Sequence, residues 1–397
     1  MFKKAFIPYK GYWSSPFSRW QGTLQNQHPL ILAAATAKKF LEKNGYDPKM
    51  LDGCVYGQTI GMPAWFYSNP WFSALMGNDK ISGPTVSQAC ATGATALYKA
   101  ACDVEVEAYS NVMVATADRC SNGPHSVWPN PNGPGAEVIS ENWLMDNFNK
   151  DPYGGEAMFM TAEHVAKDAG GVAKEESDAW ALKLYEKYLM SQENDREFQK
   201  GYMIPLDVQI SKKKSIVMEE DEGIMPMTAE GLAKLKPIIP DGALTFGAQT
   251  HPADGNAGMI VTTQEKAKEL SKDQNVTIQV LSYGYARAQK ARMAAAVSPS
   301  AQMALDKAGI GVGDLAAVKT HNPFSVNDIV MCRIMKIPEN ILNNYGSSMI
   351  FGHPQGPTGA RCIVELIEEL VKIGGGYGLF AGCAAGDTGA AIVLKVN

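Results

Sequence analysis

The alternation of strand-like and helix-like segments, present at both ends of the chain and interrupted in the middle, is the feature that most restricts the fold. Helical periodicity and short apolar runs follow one another up to about residue 120 and again from about residue 277. This alternation predicts an α/β layered fold, and its recurrence predicts an internal duplication. The predicted elements are helices at 30–45 and 300–308, strands at 54–58, 112–117, 277–281 and 316–320, and a final hairpin of 380–383 with 390–394.

The segment between the two alternating regions has a different texture. A cluster of Pro, Asn and Gly residues, which interrupt helices and strands, lies at 129–135. The amphipathic periodicity of Thr161–Tyr188 predicts one or two helices. The charge runs at 212–214 and 219–222 are interpreted as solvated faces. We therefore divide the chain into an N-terminal half, an inserted domain and a C-terminal half, with bounds of 1–120 plus 245–270, 121–244 and 271–397.

Composition and charge exclude several classes of function. With a formal net charge of -5 and a pI of about 5.8, the chain offers no basic surface for nucleic acid. No apolar run approaches the ~18 residues of a membrane span, and the N-terminal residues lack the apolar core of a signal peptide. Its seven cysteines show no Cys-x-x-Cys spacing, which argues against a disulfide framework and a zinc ribbon. These features predict a soluble, cytoplasmic enzyme without a bound metal.

Cys90 is the first candidate for chemistry. It follows a short β-like stretch from Ile81 and precedes Ala91, Gly93 and Ala94, whose small side chains predict the start of a closely packed helix. A thiol at that turn would face free N–H groups and the positive end of the helix dipole, which both favour the thiolate. The sequence therefore predicts a reactive Cys90 with a lowered pKa, against the alternative of a buried apolar filler.

Three further segments carry unusual chemistry near the ends of predicted elements. His321 follows a predicted strand, at the edge where sites collect in parallel sheets. His353 stands at the start of a Gly- and Pro-rich segment, 352–361, which we expect to be a rigid loop before a helix that begins at about Ala360. Cys383 lies in a Gly-rich turn, which we expect to leave its thiol unhindered and surrounded by backbone N–H groups.

Together these segments resemble the thiolase superfamily over nearly the whole chain. The blocks Gly-His-Pro-x-Gly-x-Thr-Gly-Ala-Arg at 352–361 and Cys-x-x-Gly-x-x-Gly-Ala at 383–390 are rarely found together elsewhere. The resemblance implies a duplicated α/β fold with αβαβα layers, in which the inserted domain covers the substrate and CoA site. It also places 245–255 in the CoA-binding loop, with Gly247 and Thr250 as CoA contacts.

The resemblance also implies a reaction, in which a 3-oxoacyl-CoA and free CoA give two acyl-CoA products through an acyl-cysteine. Cys90 would be the nucleophile, His353 would activate it, and Cys383 would protonate the carbanion or enolate that leaves. Backbone N–H groups near Cys90 and Ala385 would hold the oxyanion of the acylated intermediate, and His353 and His321 would hold the enolate oxygen. Coenzyme A is then a substrate, and no permanently bound cofactor is expected.

Three residues depart from the common pattern of the superfamily. His321 stands where many thiolases have an asparagine, as in the sterol-carrier and trifunctional branches. Ala385 interrupts what is elsewhere a run of glycines, although its backbone N–H remains for the oxyanion. Ala248 replaces the asparagine of the CoA loop, which removes that amide from the CoA contacts.

Two other functions share part of this constellation. A decarboxylating ketoacyl synthase uses one cysteine with two histidines, but it does not need a second cysteine such as Cys383. A scaffold subunit that had lost the chemistry would not be expected to keep all four reactive side chains.

The resemblance further implies a homodimer or a dimer of dimers. Some relatives with a histidine in place of the asparagine work with a small, separate zinc-binding companion subunit, so the resemblance implies such a partner here as well.

Aromatic residues ahead of the nucleophile bear on the acyl substrate. Five of them lie within 65–72, and Trp128 and Trp143 follow in the inserted domain. We interpret them as the wall of a pocket for an aryl acyl group, against the alternative of core and dimer packing. The chain resembles, less specifically, the thiolase subunit that cleaves benzoylsuccinyl-CoA to benzoyl-CoA and succinyl-CoA in anaerobic toluene degradation. The competing expectation is an acetoacetyl-CoA or 3-ketoacyl-CoA thiolase of general metabolism.

Overall fold

The computed structural model describes all residues from 1 to 397. Its strands are β1 (Phe6–Ile7), β2 (Tyr12–Ser14), β3 (Ser18–Arg19), β4 (Gly53–Gly57), β5 (Thr85–Val86), β6 (Asn111–Arg119), β7 (His125–Pro129), β8 (Val138–Asn142), β9 (Leu206–Ser211), β10 (Lys214–Met218), β11 (Ala253–Thr262), β12 (Ile278–Arg287), β13 (Leu315–His321), β14 (Gly376–Ala384) and β15 (Thr388–Val396). Its α-helices are α1 (Pro29–Asn44), α2 (Ser68–Met76), α3 (Thr92–Glu105), α4 (Met145–Asn149), α5 (Met158–Asp168), α6 (Lys174–Met190), α7 (Glu193–Lys200), α8 (Ala229–Ala233), α9 (Gln264–Leu270), α10 (Val297–Ala308), α11 (Ser325–Met335), α12 (Ser348–Phe351) and α13 (Gly356–Lys372). None of these helices combines the length and the apolar character needed to cross a bilayer.

The main sheet has 11 strands, and its order is mirrored about its middle. Along the main path the order is β13-β14-β15-β12-β1-β11-β6-β4-β5, with β2 and β3 paired to β11. On one side, β4 runs parallel to β6, and β6 runs antiparallel to β11. On the other side, β13 runs parallel to β14, and β14 runs antiparallel to β15. The two halves therefore repeat one pairing pattern, which confirms the predicted duplication.

Helices α3 and α13 hold corresponding places in the two halves and pack against each other between them. Each helix contacts strands of both halves, α3 reaching β6 and β15, and α13 reaching β14 and β6. Gly93 permits the close approach, because a Cβ there would lie 2.5 Å from the backbone nitrogen of Ala360. Helices α1 and α2 cover the N-terminal half on its outer face, and α10 covers the C-terminal half. The two halves of the sheet are joined through β1 and lie on opposite sides of α3 and α13, so the layers are α, β, α, β and α.

Between β6 and β11 the chain leaves the sheet and is anchored back to it by a buried ion pair. Asp221 accepts two hydrogen bonds of 2.6 and 2.7 Å from the guanidinium of Arg361 on α13. Both side chains are fully buried, and the guanidinium lies over the rings of Phe17 and Phe351. The interpretation of 219–222 as a solvated face is therefore wrong at Asp221, because this carboxylate neutralises a buried cation.

Most predicted elements near the reactive residues are confirmed, but the start of one helix was placed too late. The segment Thr161–Tyr188 forms two helices, α5 and α6, and the final hairpin is β14 with β15. The helix expected from Ala360 begins at Gly356. Pro357 fits its first turn, where a missing N–H breaks no bond within the helix. The N–H of Gly356 instead donates to a carboxylate oxygen of Asp118 at 2.9 Å.

Candidate active site

Cys90 lies in the turn between β5 and α3, and hydrogen bonds within the turn fix its position. Ala89 has a φ of 45°, a left-handed backbone that is uncommon for a residue with a Cβ. The N–H of Gln88 donates to the hydroxyl of Thr92 at 2.8 Å, and that hydroxyl donates to the carbonyl of Ala89 at 2.7 Å. The turn places Cys90 immediately before α3 with only 6% of its surface exposed.

His353 occupies the corresponding place ahead of α13 and reaches the sulfur of Cys90. Its Nε2 lies 3.1 Å from Cys90 Sγ, and its Nδ1 lies 2.6 Å from the hydroxyl of Thr358 in the first turn of α13. An Nδ1–H that donates to Thr358 leaves the lone pair of Nε2 free. We therefore assign Nε2 as the acceptor of the Cys90 thiol proton.

His321 stacks on His353 at the end of β13. Their ring centroids are 4.0 Å apart, and Nδ1 of His321 lies 2.9 Å from the hydroxyl of Ser348. That hydroxyl also accepts the N–H of Asn322, so it fixes the orientation of the ring. Nε2 of His321 is buried and has no protein partner. An unpaired buried nitrogen carries a desolvation cost, which a substrate oxygen at this place would relieve.

Cys383 comes to the same edge because β13 and β14 run parallel. Their register pairs His321 with Gly382, so the histidine and Cys383 lie at neighbouring strand ends. The thiol of Cys383 is fully buried and accepts a hydrogen bond of 3.2 Å from the side-chain amide of Asn327. The expectation of an unhindered thiol is therefore wrong. The tight turn follows Cys383, whereas the cysteine itself belongs to a central strand.

Burial keeps the reactive groups uncharged in the free protein. It raises the pKa of Cys90 to about 12, although the backbone N–H of Ala385 opposes this shift. The expectation of a lowered pKa is therefore wrong, because the loss of solvent outweighs the nearby N–H groups. Burial also lowers the pKa of His321 to about 3 and that of His353 well below its usual range. The pair is thus a thiol facing a neutral imidazole, ready for proton transfer when a substrate arrives.

Gln355 is a residue of the site that the sequence interpretation did not single out. Its side-chain oxygen lies 3.3 Å from Cys90 Sγ, next to the contact of that sulfur with His353. With Ala385 and Trp143 it lines a cavity of about 240 Å³ beside Cys90. Its place inside the Gly-His-Pro-x-Gly block was the available signal. The hydrogen-bond partners Thr358, Ser348 and Asn327 were also missed.

A groove of about 830 Å³ is lined by Gly247 and Thr250, together with Met349, the neighbour of Ser348. The hydroxyl of Thr250 donates to the carbonyl of Ser348 at 2.6 Å, and Ser348 is the residue that holds His321. Ala248 is fully buried beneath this surface. The groove therefore adjoins the reactive residues and contains both predicted CoA contacts.

Most of the expected aromatic wall lies elsewhere. Trp65, Phe66 and Tyr67 are exposed, Phe66 by as much as 87%. Phe72 is instead stacked in the core, and Trp128 is exposed on β7. Among the predicted rings, Trp143 lines the cavity beside Cys90, together with Phe148, Leu144, Met158 and Ile60. The prediction that residues 65–72 form the pocket wall is wrong, because closeness to Cys90 in the sequence does not determine where a ring lies around it in the fold.

The nitrogen and sulfur atoms of Cys90, His321 and His353 all lie within 4.8 Å of one another. Cysteine and histidine are ligands that zinc prefers. A hydrogen bond joins Cys90 Sγ to His353 Nε2, and stacking on His353 holds the imidazole of His321 beside them. The arrangement suits proton transfer at sulfur and the binding of a substrate oxygen.

Comparison with known proteins agrees with this geometry. Sequence profiles described as the thiolase N-terminal domain and the thiolase C-terminal domain match residues 13–265 and 274–396. The chain is 26% identical to an acetyl-CoA acetyltransferase of Syntrophomonas wolfei and 25% identical to the mitochondrial 3-ketoacyl-CoA thiolase of Homo sapiens, over 96% of this chain and of each relative. The fold is shared with a human mitochondrial 3-ketoacyl-CoA thiolase solved with CoA, at a TM-score of 0.89, 24% identity and coverage of 100% and 98% of the two chains. The Bacillus anthracis acetyl-CoA acetyltransferase gives a TM-score of 0.90 at 24% identity, with coverage of 100% and 99%. This chain therefore belongs to the thiolase family and is an acyltransferase.

Proposed function

We propose that the protein cleaves a 3-oxoacyl-CoA with free CoA, with Cys90 as the nucleophile and His353 as its base. The observation that carries this proposal is the 3.1 Å contact between Cys90 Sγ and His353 Nε2. It lies within hydrogen-bond reach, and both groups are neutral at rest, so the proton can pass to the imidazole as sulfur attacks. Reactive Cys383 and His321 stand at the same strand edge.

The first half-reaction transfers the acyl group to sulfur. Sγ of Cys90 adds to the C3 carbonyl while its proton passes to Nε2 of His353. The C2–C3 bond then breaks, its electron pair goes to C2, and the thiol of Cys383 protonates that carbon. The products are an acyl-Cys90, a shortened acyl-CoA, an imidazolium at His353 and a thiolate at Cys383.

The second half-reaction restores the enzyme. The thiolate of Cys383 takes the proton of an incoming CoA thiol, whose sulfur attacks the acyl-Cys90 carbonyl. The tetrahedral intermediate then expels the sulfur of Cys90, which recovers its proton from His353. We assign its oxyanion to the backbone N–H groups of Cys90 and Ala385. The enolate oxygen of the first half-reaction is assigned to His353 and to the unpaired Nε2 of His321.

We assign the groove lined by Gly247 and Thr250 to coenzyme A. It is large enough for an extended cofactor-like substrate, and its polar wall includes Arg19 and His251. The inserted domain, 121–244, forms part of the cover on both sides, through Met227 in the groove and Trp143 in the cavity beside Cys90. No permanently bound cofactor takes part in the proposed steps.

For the acyl group we propose an aryl ketone, of which benzoylsuccinyl-CoA is the candidate, because Trp143 and Phe148 line the cavity beside the nucleophile. The alternative is the acetoacetyl-CoA or 3-ketoacyl-CoA reaction of a general thiolase, which agrees with the names of the relatives. The deciding measurement is kcat/KM on both substrates with free CoA, using Cys90→Ser as a control for uncatalysed thiolysis. A clear preference for acetoacetyl-CoA would contradict the aryl assignment and leave the thiolase mechanism intact.

The same assay separates the remaining functions. A thiolase yields two acyl-CoA products, whereas a ketoacyl synthase releases carbon dioxide and uses a carrier protein. A non-catalytic scaffold gives no product and forms no acyl-Cys90, which intact-mass spectrometry would show. Any product set other than two acyl-CoAs would contradict the proposal.

We also propose that the chain works as a homodimer or a dimer of dimers, and we retain a small zinc-binding companion subunit as a partner. The exposed rings of Trp65, Phe66, Tyr67 and Trp128 support an assembly, because exposed aromatic clusters mark interaction surfaces. Light scattering of the purified chain and co-purification from the native host test the two statements. A fully active homo-oligomer would remove the need for a companion, and a monomer would contradict both assemblies.

A further inference from the structure

Gln355 links the nucleophile to the cavity in which the acyl group would lie. Its backbone has φ 62° and ψ -104°, a sparsely populated conformation that carries a cost for a residue with a Cβ. That conformation places a nearly buried carboxamide against Cys90, with its oxygen 3.3 Å from Sγ. The backbone carbonyl of Gln355 also accepts the N–H of Thr358, the residue that orients His353. The carboxamide is thus fixed at the reaction centre.

The other end of this carboxamide is free. Its nitrogen donates to no protein group. Because that nitrogen is not fully enclosed by protein atoms, it faces open space. The cavity of about 240 Å³ that Gln355 lines contains few other polar groups. Asn147 already donates its amide to Glu141 and Trp143, and the hydroxyl of Thr59 donates to a carboxylate oxygen of Asp118. The uncommitted side-chain amide of this cavity is therefore that of Gln355, and the hydroxyl of Ser87, which also lines the cavity, is a second free donor.

No charged residue lines this cavity. An adjoining cavity of about 320 Å³ shares Asn147, Met158 and Ala385 with it, and its charged lining residues are the carboxylates Asp151 and Asp387. Arg287 and Lys290 lie over the ring of Tyr153 in that second cavity, but neither lines the cavity beside Gln355. An anionic acyl group beside Gln355 would therefore have no cation among the lining residues, which is costly. The surroundings of Cys90 thus favour an uncharged acyl group.

The size of the cavity favours a ring over an acetyl group. An apolar cavity of about 150 Å³ is enough to hold benzene. The 240 Å³ beside Cys90 therefore accommodates a phenyl ring, with Trp143 and Phe148 among its walls. An acetyl group would leave most of this volume empty.

We propose, building on the thiolase reaction proposed above, that Cys90 carries an uncharged acyl group of about phenyl size and that Gln355 is the residue that recognises it. In the free enzyme the carboxamide oxygen lies 3.3 Å from Cys90 Sγ, while the thiol proton is directed to Nε2 of His353. Once the sulfur is acylated, the amide N–H donates to the oxygen of the bound acyl group. In a substrate that also bears a carboxylate, the charged part therefore leaves with CoA.

Three substrates test the charge and size of the acyl group, since each delivers a different group to Cys90. Acetoacetyl-CoA delivers acetyl, benzoylacetyl-CoA delivers benzoyl, and 3-oxoadipyl-CoA delivers succinyl. With limiting CoA, intact-mass spectrometry follows each acyl-enzyme and steady-state assays give kcat/KM. We expect benzoyl transfer to be the fastest and succinyl transfer at least tenfold slower. Succinyl or acetyl transfer as fast as benzoyl transfer would overturn the proposed acyl class.

Two substitutions test the role of Gln355. Gln355→Met keeps the volume and removes the amide, and we expect benzoyl transfer to fall about tenfold. Gln355→Glu mimics the amide only while its carboxyl is protonated, so its rate relative to the unsubstituted enzyme should fall as pH rises. Gln302→Met, on an exposed face of α10, is the matched control and should change nothing.

Equal benzoyl transfer by the enzyme and by Gln355→Met would overturn the assignment of Gln355, as would a pH-independent rate ratio for Gln355→Glu. The failure of all three substrates to acylate Cys90 in the unsubstituted enzyme would overturn the thiolase proposal itself. Thermal unfolding of each variant separates loss of the contact from loss of the fold.

Discussion

Replacing Gly93 with alanine tests whether the packing of α3 on α13 sets the reactive geometry. Gly93 lies three residues after Cys90, and Gly356 lies three residues after His353, so the closest approach of the two helices is next to both reactive groups. A Cβ at position 93 would lie 2.5 Å from the nitrogen of Ala360 and 2.8 Å from the carbonyl oxygen of Gly356. Both are backbone atoms, which cannot rotate away.

The size of the effect follows from these distances. Ordinary van der Waals contact begins at 3.4 Å, so the 2.5 Å approach requires a helix to move by about 0.9 Å. A shift along the line between Cys90 Sγ and His353 Nε2 would lengthen their 3.1 Å separation to about 4 Å, beyond the ~3.2 Å reach of proton transfer. A displacement of about 1 Å in an active site costs about 10²-fold in rate. The crowding itself should cost about 1–3 kcal/mol of unfolding free energy.

Thiolysis kinetics and urea unfolding of Gly93→Ala measure the two effects separately. We expect kcat/KM to fall about a hundredfold while the variant remains folded at 25 °C. Gly313→Ala is the control, because a Cβ there would meet no atom within 4 Å. A Gly93→Ala enzyme within about twofold of the original kcat/KM would refute the idea that this contact sets the distance between nucleophile and base.

Four further outcomes are expected. Cys90→Ser should abolish acyl transfer, because a hydroxyl is a far weaker nucleophile than a thiolate, and no acyl adduct should appear by mass spectrometry. Cys383→Ala should block carbon–carbon cleavage but only slow the exchange of labelled CoA with a simple acyl-CoA, because a CoA thiol can lose its proton to solvent whereas the carbanion at C2 needs a positioned acid; equal loss of both activities would contradict its role as the acid. Because burial raises the pKa of Cys90 to about 12, its thiolate fraction should grow about tenfold per pH unit, and iodoacetamide labelling should accelerate accordingly from pH 6 to 9. A level rate over that range would show a preformed thiolate. Asp221→Asn should cost about 3 kcal/mol in urea unfolding, since it leaves the buried Arg361 without its main counter-charge, whereas Asp207→Asn in an exposed pair should cost less than about 1 kcal/mol.

The local pattern of the sequence was sufficient for the elements that carry the reactive residues. Small residues after Cys90 predicted the tightly packed α3, and the apolar run before His321 predicted β13. The motif blocks predicted that Cys90, His321, His353 and Cys383 belong to one site. Their convergence could not be derived from periodicity alone, since it depends on the parallel pairing of β13 with β14 and on the contact of α3 with α13.

Properties that depend on burial were the ones that the sequence did not reveal. The prediction of a lowered pKa for Cys90 took account of the helix N-terminus. It did not take account of the burial of the thiol, which excludes solvent and raises the pKa. The acidic run at 219–222 looked solvated because its buried partner, Arg361, lies 140 residues away from Asp221. Gly356 and Pro357 were predicted to lie in a loop, because glycine and proline are common there. Both residues also fit the first turn of a helix, where the structure places them.

The ion pair between Asp221 and Arg361 has a consequence for recombining this protein with its relatives. Segments that cover an active site are natural units to exchange when a new substrate is wanted. Here the exchangeable segment includes one member of a fully buried pair, while α13 keeps the other. A chimera that imports a cover without an acid at this place would leave the buried Arg361 guanidinium with Glu365 as its remaining carboxylate partner, in the helix that follows His353. Grafts that bring their own carboxylate to position 221 should fold, so the boundary of a successful graft is set by charge as much as by loop length.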